Sequence, residues 1–412
     1  MTARPADLAI LLPPSESFQA ANAGAISLSV RDFVRFSGYA DRTTVFGARV
    51  DEPFAGIRFR GLATRGLAGS RRLAYLLSAT RALLTARPKL IEVHNRPEFL
   101  PWLMRVAPGA GFALFLHNDP QAMRRFRSAG ERRALLARLD TVFCVSGHIR
   151  SRLLEGIDDP ALARKAVVCP IGFDLPVFDA RRAVIAAPRD PVVLFVGRIV
   201  QDKGADLFVE AAAAALADRP GWRAVMVGAD RPPEGATARA AAVSPFEAAV
   251  RARVAAINAG RDRPLIEMTG FRTYDQVLDL YGRAAMAVVP SVWNEPFGRT
   301  AVEAMAMGCP LIATERGGLR DIVHGAGLTL DPATPDALAA AIGMLADDPA
   351  RREALARNGR AHLDRQGYDI RDVAAGMDRA RRDRLGQPVS APPVSTSGNP
   401  PRPPLTQRTD DA

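Results

Sequence analysis

Cysteine, lysine and long apolar runs are all scarce in this sequence. There are three cysteines in 412 residues, Cys144, Cys169 and Cys309, each standing alone. No C-x-x-C pair occurs, so neither a zinc site nor a disulfide framework is indicated, and a reducing compartment fits best. No apolar run approaches the ~20 residues that cross a bilayer. The apolar stretch nearest the N-terminus, Leu8 to Leu12, has strand length and runs into Pro13-Pro14, unlike a secretory signal. Aromatics make up 6%, yet apolar residues reach 48% and charged residues 24%. Those proportions exclude a wholly disordered, collagen-like or coiled-coil chain.

Lysine occurs at Lys89, Lys165 and Lys203 and nowhere else, so the basic charge is almost all arginine. The formal net charge is +11, and it is unevenly spread. Met1 to Val184 carries 27 Lys+Arg against 16 Asp+Glu, and the remainder carries 28 of each. A basic first half suggests an anionic partner there: nucleic acid, an acidic membrane or a phosphorylated acceptor. An arginine-rich composition with no partner is the other reading. No recognised nucleic-acid motif accompanies the charge, and nucleic acid is not expected as a partner.

Short apolar runs alternate with Ala/Leu/Arg-rich helical stretches. The first half offers Leu8–Leu12, Leu90–Val93, Phe112–Leu116, Thr141–Val145 and Ala166–Cys169. The second offers Val192–Val196, Arg223–Val227, Ile266–Thr269, Ala287–Val289 and Pro310–Ala313. These runs are largely apolar and do not alternate, the pattern of strands covered on both faces. Such alternation predicts an α/β chain with parallel sheets, in two Rossmann-like domains facing a central cleft. The expected boundaries are 1–184 for the first domain, 185–191 for a linker and 192–362 for the second domain. A C-terminal helix over 363–386 is expected to pack back toward the first domain. The tail 387–412, rich in Pro, Ser and Thr, reads as disordered.

Two segments of the second half carry chemistry. In Val196-Gly197-Arg198-Ile199-Val200-Gln201-Asp202-Lys203-Gly204 a buried strand runs into a glycine. Arg and Lys follow five residues apart. Glycine lets a ligand approach the backbone, and two cations can clamp a diphosphate; a surface Arg and Lys on a loop is the plainer reading. In the segment from Pro290 to Pro310, a loop carries Glu295 and a helix starts near Arg299–Thr300. Gly308 ends that helix as a C-terminal cap. The backbone N–H groups of Phe297, Gly298, Arg299 and Thr300 stand at its start, ready for an anion. Glu303 lies one turn in, at most ~12 Å from Glu295 at helical rise. A carboxylate at each end with a phosphate nest between them suits a nucleoside diphosphate sugar.

Together these segments resemble the retaining glycosyltransferases of family 4, which have the GT-B fold. The likeness extends over residues 8 to 380 and is densest from 192 to 325. The family's E-x7-E motif corresponds to Glu295 and Glu303, and its phosphate-binding cations to Arg198 and Lys203. Gly317-Gly318 with Asp321-Ile322-Val323 resembles the family's G-G-x-x-E-I-V stretch, with Asp in place of Glu. Thr269-Gly270-Phe271 resembles the loop that reads the base. In the first half, Asn22-Ala23-Gly24-Ala25 stands where the family has two glycines near the donor phosphate. His117, after a buried strand, resembles the histidine that faces the donor sugar. Ser146 to Arg150 and Pro170 to Asp174 match scaffolding stretches.

The resemblance implies catalytic roles for His117, Arg198, Lys203 and Glu295. It implies donor binding by Gly24, Gly197, Phe271, Phe297, Gly298, Arg299, Thr300 and Glu303. Transfer would retain the anomeric configuration, with the leaving diphosphate helping to deprotonate the acceptor. No D-x-D triplet occurs, in keeping with a metal-free phosphate site and no cofactor beyond a UDP- or GDP-linked sugar. The implied acceptor is a saccharide or a glycolipid such as a lipopolysaccharide core, and the implied place is the cytoplasm. The stretches Met123 to Leu136 and Arg71 to Leu77 mix arginines with bulky apolar residues. They can rest on the anionic inner face of a membrane or be ordinary amphipathic helices. A sugar-nucleotide epimerase or hydrolase and a non-catalytic sugar-nucleotide binder are the alternatives. A phosphorylase would need a pyridoxal lysine, and Lys203 already has the phosphate-clamp role.

Overall fold

The computed structural model describes residues 7–64, 70–185, 188–229 and 243–388. It divides into two compact units, Met1–Asp174 with Gly367–Ala412, and Leu175–Gln366.

The first unit holds a seven-stranded sheet: β1 (Leu8–Leu11), β2 (Thr43–Ala48), β3 (Phe59–Leu62), β4 (Leu90–His94), β5 (Gly111–Leu116), β6 (Thr141–Cys144) and β7 (Ala166–Val168). Their order is β3-β2-β1-β4-β5-β6-β7, and every pairing is parallel. Strand order reverses direction between β1 and β4, where open α/β sheets bind ligands beyond the strand ends. The loop holding Gly24 follows β1, and His94 closes β4.

The second unit holds six strands: β8 (Asp190–Val196), β9 (Arg223–Val227), β10 (Ile266–Gly270), β11 (Ala284–Val289), β12 (Leu311–Thr314) and β13 (Leu328–Leu330). Their order is β10-β9-β8-β11-β12-β13, again all parallel. Here the switch lies between β8 and β11, so Gly197 and the Pro290 loop leave adjacent strand ends. The core beneath this sheet is alanine-rich. Ala211, Ala212 and Ala215 on helix Ala205–Leu216 are buried with Phe208, alongside Leu338, Ile342 and Leu345 of helix Pro335–Asp347. Small residues let the two helices approach closely, and each large buried side chain contributes about 1.5–3 kcal/mol.

The ten predicted strands are present, and the sequence pattern misses β2, β3 and β13. β2 opens on two threonines. β3 and β13 are short and only partly buried, without the uniform apolar run of a covered strand. The boundary expected at Val184 is corrected to Asp174. Helix Leu175–Val184 belongs to the second unit, where Leu175 and Phe178 are buried and Arg181 pairs with Asp275 and Asp279 at 2.6 and 2.8 Å. The expected linker 185–191 is shorter, because β8 begins at Asp190. The expected helix 363–386 is two helices, Pro349–Gln366 and Ile370–Leu385, parted at Gly367 with φ +71°. The second of them belongs to the first unit. The expected disordered tail lies outside the described residues apart from 387 and 388. No helix among the described residues is long and apolar enough to cross a membrane.

Candidate functional site

In the second unit, the ends of β8 and β11 bring Lys203 and Glu295 together across 92 positions of sequence. Lys203 Nζ donates to Glu295 Oε1 at 2.5 Å, and Ser291 Oγ donates to the same oxygen at 2.5 Å. Glu295 is 6% exposed. Its second oxygen has no hydrogen-bond partner among the described residues. An ammonium carries three protons, so one is spent on Glu295 and two remain for an anion. The Trp293 ring lies 5.6 Å from Nζ and shields one side of it.

Backbone geometry fixes this arrangement. Gly204 has φ +66°, and a Cβ there would lie 2.2 Å from the Pro290 carbonyl oxygen. Gly317 has φ +58°, and its Cβ would lie 2.5 Å from the Glu295 carbonyl oxygen, which accepts the Gly318 N–H at 2.6 Å. The Gly-Gly pair thus grips the Glu295 loop. Arg198, by contrast, is exposed and makes no ion pair among the described residues. Its guanidinium is available to a ligand.

Helix Arg299–Ala306 starts from Gly298, whose φ of +131° suits glycine, with no side chain capping it. The backbone N–H groups of Gly298 and Thr300 find no acceptor among the described residues. Glu303 is buried and accepts from Arg299 Nε at 2.7 Å. Arg299 also donates to the Tyr274 hydroxyl at 3.3 Å and lies over its ring. Burial pushes the Glu303 carboxyl up, against the pull of Arg299. Phe297 is buried, so only its backbone can serve a ligand. Phe271 is 53% exposed just past β10. Gly197 and Gly228 are joined to the same strand ends, through Gly197 N–H to Val227 and Gly228 N–H to Gly270.

In the first unit, His117 follows β5 and is almost fully buried. Its Nε2 lies 2.9 Å from His94 Nδ1, and His94 Nε2 lies 3.0 Å from Glu92 Oε1. Arg381, on helix Ile370–Leu385, donates to both oxygens of Glu92 at 2.7 to 3.0 Å. Burial alone would raise the Glu92 carboxyl, but Arg381 and His94 bring it down to about 2. Burial first, and then the neighbouring His94, hold His117 well below the usual imidazole range. Asn95 Oδ1 accepts the His117 backbone N–H at 2.8 Å. Gly24 caps helix Ala25–Arg35, and a Cβ there would lie 2.6 Å from Glu16 Oε2. That carboxylate accepts from Ser27 N and Oγ at 3.2 and 3.0 Å. The missing side chain at Gly24 leaves room for the Glu16 carboxylate.

The sequence-predicted residues thus fall into two groups. Gly24 and His117 lie in the first unit, and the other ten lie in the second. Sequence reasoning missed Ser291, Tyr274, Glu92, His94 and Arg381. The available clue was a Glu and a His two positions apart inside the otherwise apolar run of β4, on one face of a covered strand.

Residues 177–362 match the family described as Glycosyl transferases group 1. Lipopolysaccharide core biosynthesis mannosyltransferase LpsB of Rhizobium meliloti is 32% identical over 299 residues, 66% of this chain and 77% of that protein. A D-inositol 3-phosphate glycosyltransferase of Kineococcus radiotolerans is 34% identical over 232 residues, 51% of this chain and 49% of its own length. Among solved structures, Anabaena Alr3699/HepE in complex with UDP and glucose aligns with a TM-score of 0.68 at 21% identity, covering 90% of this chain and 98% of that one. The sucrose-phosphate synthase of Thermosynechococcus elongatus aligns with 0.68 at 23%, covering 91% and 98%. These likenesses show the fold: two Rossmann-like parallel sheets, as in GT-B proteins.

Proposed function

The chain belongs to the group 1 glycosyl transferases, and from that premise we propose a retaining hexosyltransferase of family 4. It takes a nucleoside diphosphate sugar, UDP- or GDP-linked, and delivers the hexose to a saccharide or glycolipid of the cell envelope. The observation that carries this reading is the Lys203–Glu295–Ser291 cluster beside an uncapped helix start. Lys203, Arg198 and the N–H groups at Gly298 and Thr300 stabilise charge growing on the leaving diphosphate. Glu295 keeps one oxygen for the sugar. Buried Glu303 and the exposed Phe271 ring serve the nucleoside. His117 acts on the transferred sugar as a neutral imidazole. The leaving diphosphate takes the acceptor proton, and cations and helix dipole stand in for a metal, so activity persists in EDTA.

Calorimetric titration with UDP, GDP, ADP and dTDP tests the donor site, with Lys203→Ala as control. One nucleotide should bind well above the others. The variant should lose about tenfold or more in affinity, the worth of a charge-assisted contact to phosphate. Equal, weak binding of all four by both proteins would overturn the reading.

Peripheral contact with the inner leaflet is part of the same reading. Helix Arg71–Ala86 exposes Leu73, Leu77 and Leu84, with Trp102 exposed nearby through its bond to Thr80, and Arg71, Arg72 and Arg81 flank them. Apolar side chains ringed by arginine suit an anionic leaflet. Co-sedimentation with phosphatidylglycerol vesicles at low salt should be lost in Leu73→Ser/Leu77→Ser. No binding by the unaltered protein would sink this part alone.

A further inference from the structure

The first unit contains a cavity of about 660 Å³ whose wall is unusually cationic. Arg72, Arg96, Arg124, Arg125 and Arg127 all line it, against two glutamates. One of these, Glu131, is already engaged as a helix cap, accepting from the Ser128 and Arg127 backbone N–H groups. None of the five guanidinium groups lies within ion-pair distance of a carboxylate among the described residues; Arg72, Arg124, Arg125 and Arg127 are exposed and Arg96 is half-buried. Arg96 Nε is buried with no hydrogen-bond partner, while its Nη1 donates to the Asn95 carbonyl.

Five unpaired like charges around one concavity repel each other and focus a positive field. An arginine fork matches phosphate or carboxylate through two parallel hydrogen bonds. The volume fits a mono- or disaccharide, and the lining side chains are nearly all polar. Two further features mark the cavity. Asn95 lines it and also holds the His117 backbone. Asn95 and Arg125 have φ of +52° and +60°, which non-glycine residues rarely adopt and which cluster at functional sites. The segment Met123 to Ser128 is a loop with Phe126 buried beneath it, and not part of an amphipathic helix. Its three arginines are held over the cavity and do not form a helix face.

We propose that this cavity is the acceptor subsite and that the acceptor is a saccharide bearing a phosphate monoester. This rests on the glycosyltransferase reading for the word acceptor. The anion site itself rests on the five arginines. The ligand's phosphate comes from a soluble sugar phosphate or from a lipid-borne head group, and the two share the same recognition.

The test uses the full chain carrying Lys203→Ala, so that the donor-side cation does not contribute. Glucose 6-phosphate and glucose are titrated at low salt, and vesicles of phosphatidylcholine with and without phosphatidic acid are used in parallel. The phosphorylated probe should bind about tenfold or more tightly than the neutral one. Arg124→Gln/Arg125→Gln/Arg127→Gln should abolish that difference. Arg133→Gln/Arg138→Gln, which removes two exposed arginines outside the cavity, should keep it. Binding of glucose 6-phosphate supports a soluble acceptor. Binding confined to phosphatidic acid vesicles, and lost in the triple variant, supports a lipid-borne one. Equal binding of both sugars with no vesicle binding overturns the proposal, and so does equal loss in the triple and control variants. UDP and GDP titrated into the triple variant alone separate the two readings. Retained nucleotide binding with a failed anion site leaves the glycosyltransferase reading standing. The reverse result leaves the anion site without an acceptor role.

Discussion

His94 Nδ1 and His117 Nε2 face each other at 2.9 Å in the first unit, and Glu92 determines which of them holds the proton. An ionised carboxylate can only accept, so His94 Nε2 carries its hydrogen toward Glu92. In a neutral His94 the Nδ1 is then an acceptor, and His117 must donate its Nε2–H. His117 Nδ1 is left as a lone pair, suited to a sugar hydroxyl. The protein has five histidines, so nitrogen NMR on histidine-labelled protein can resolve each one. His117 should appear as the Nε2–H tautomer and stay neutral at pH 5.5. The stability consequence has a definite sign. Unfolded His117 takes a proton near pH 6.5 and the folded one does not, so stability is lost as pH falls below about 6.5. Between pH 7.5 and 5.5 the melting temperature should fall more steeply in the unaltered protein than in His117→Gln. A His117 that titrates near 6.5, or the opposite tautomer, would refute the arrangement.

Arg381 comes from the far end of the chain to neutralise Glu92, and both are buried. Ser37 Oγ and the Gly38 N–H hold Asp378, which in turn faces Arg381. Arg381→Met would leave a buried carboxylate with His94 as its remaining partner. Removing one member of such a pair costs about 3–5 kcal/mol. Urea unfolding should show that loss for Arg381→Met. Arg381→Met/Glu92→Gln should lose less, because no uncompensated charge is left behind. A cost below about 1 kcal/mol for the single variant would mean that the pair is solvated.

What the sequence disclosed follows from burial. The covered strands β5, β8 and β11 are apolar on both faces, and β4 is apolar apart from Glu92 and His94, so these were legible, whereas β3 and β13 are short and half exposed and were not. Gly197, Lys203, Glu295 and Glu303 each sit on a local signature, a strand-to-glycine turn or a loop running into a helix start, which is why the sequence singles them out. Their mutual contacts were not, since nothing local says that Lys203 touches Glu295 or that Ser291 shares the same oxygen. The Glu92–Arg381 pair spans 289 positions and leaves no local mark beyond two polar residues inside an apolar run. The arginines at 72, 96 and 124 to 127 looked like surface charge, because only the fold gathers them around one cavity.

Two glycines at the end of the second sheet separate folding from binding. Gly228 has φ +128°, and a Cβ there would lie 2.0 Å from the Gly197 carbonyl oxygen. Gly197 itself has room: a Cβ would meet the Phe195 ring at 3.5 Å and Lys203 Cγ at 4.0 Å, ordinary contacts. The chain therefore needs glycine at 228 for its own packing, and tolerates alanine at 197. If glycine stands at 197 so that a diphosphate can approach the backbone, Gly197→Ala should melt within a degree or two of the unaltered protein, a surface-like change of about 0.5 kcal/mol or less. Its nucleotide affinity should nonetheless fall about tenfold, as one close backbone contact is lost. Gly228→Ala should lower the melting temperature outright, through strain of about 1–3 kcal/mol. Melting curves and nucleotide titrations on the two variants decide the matter. Unchanged affinity in Gly197→Ala would show that the diphosphate does not approach the backbone at this position, and Lys203 and the Gly298 helix start would then have to hold it without that contact.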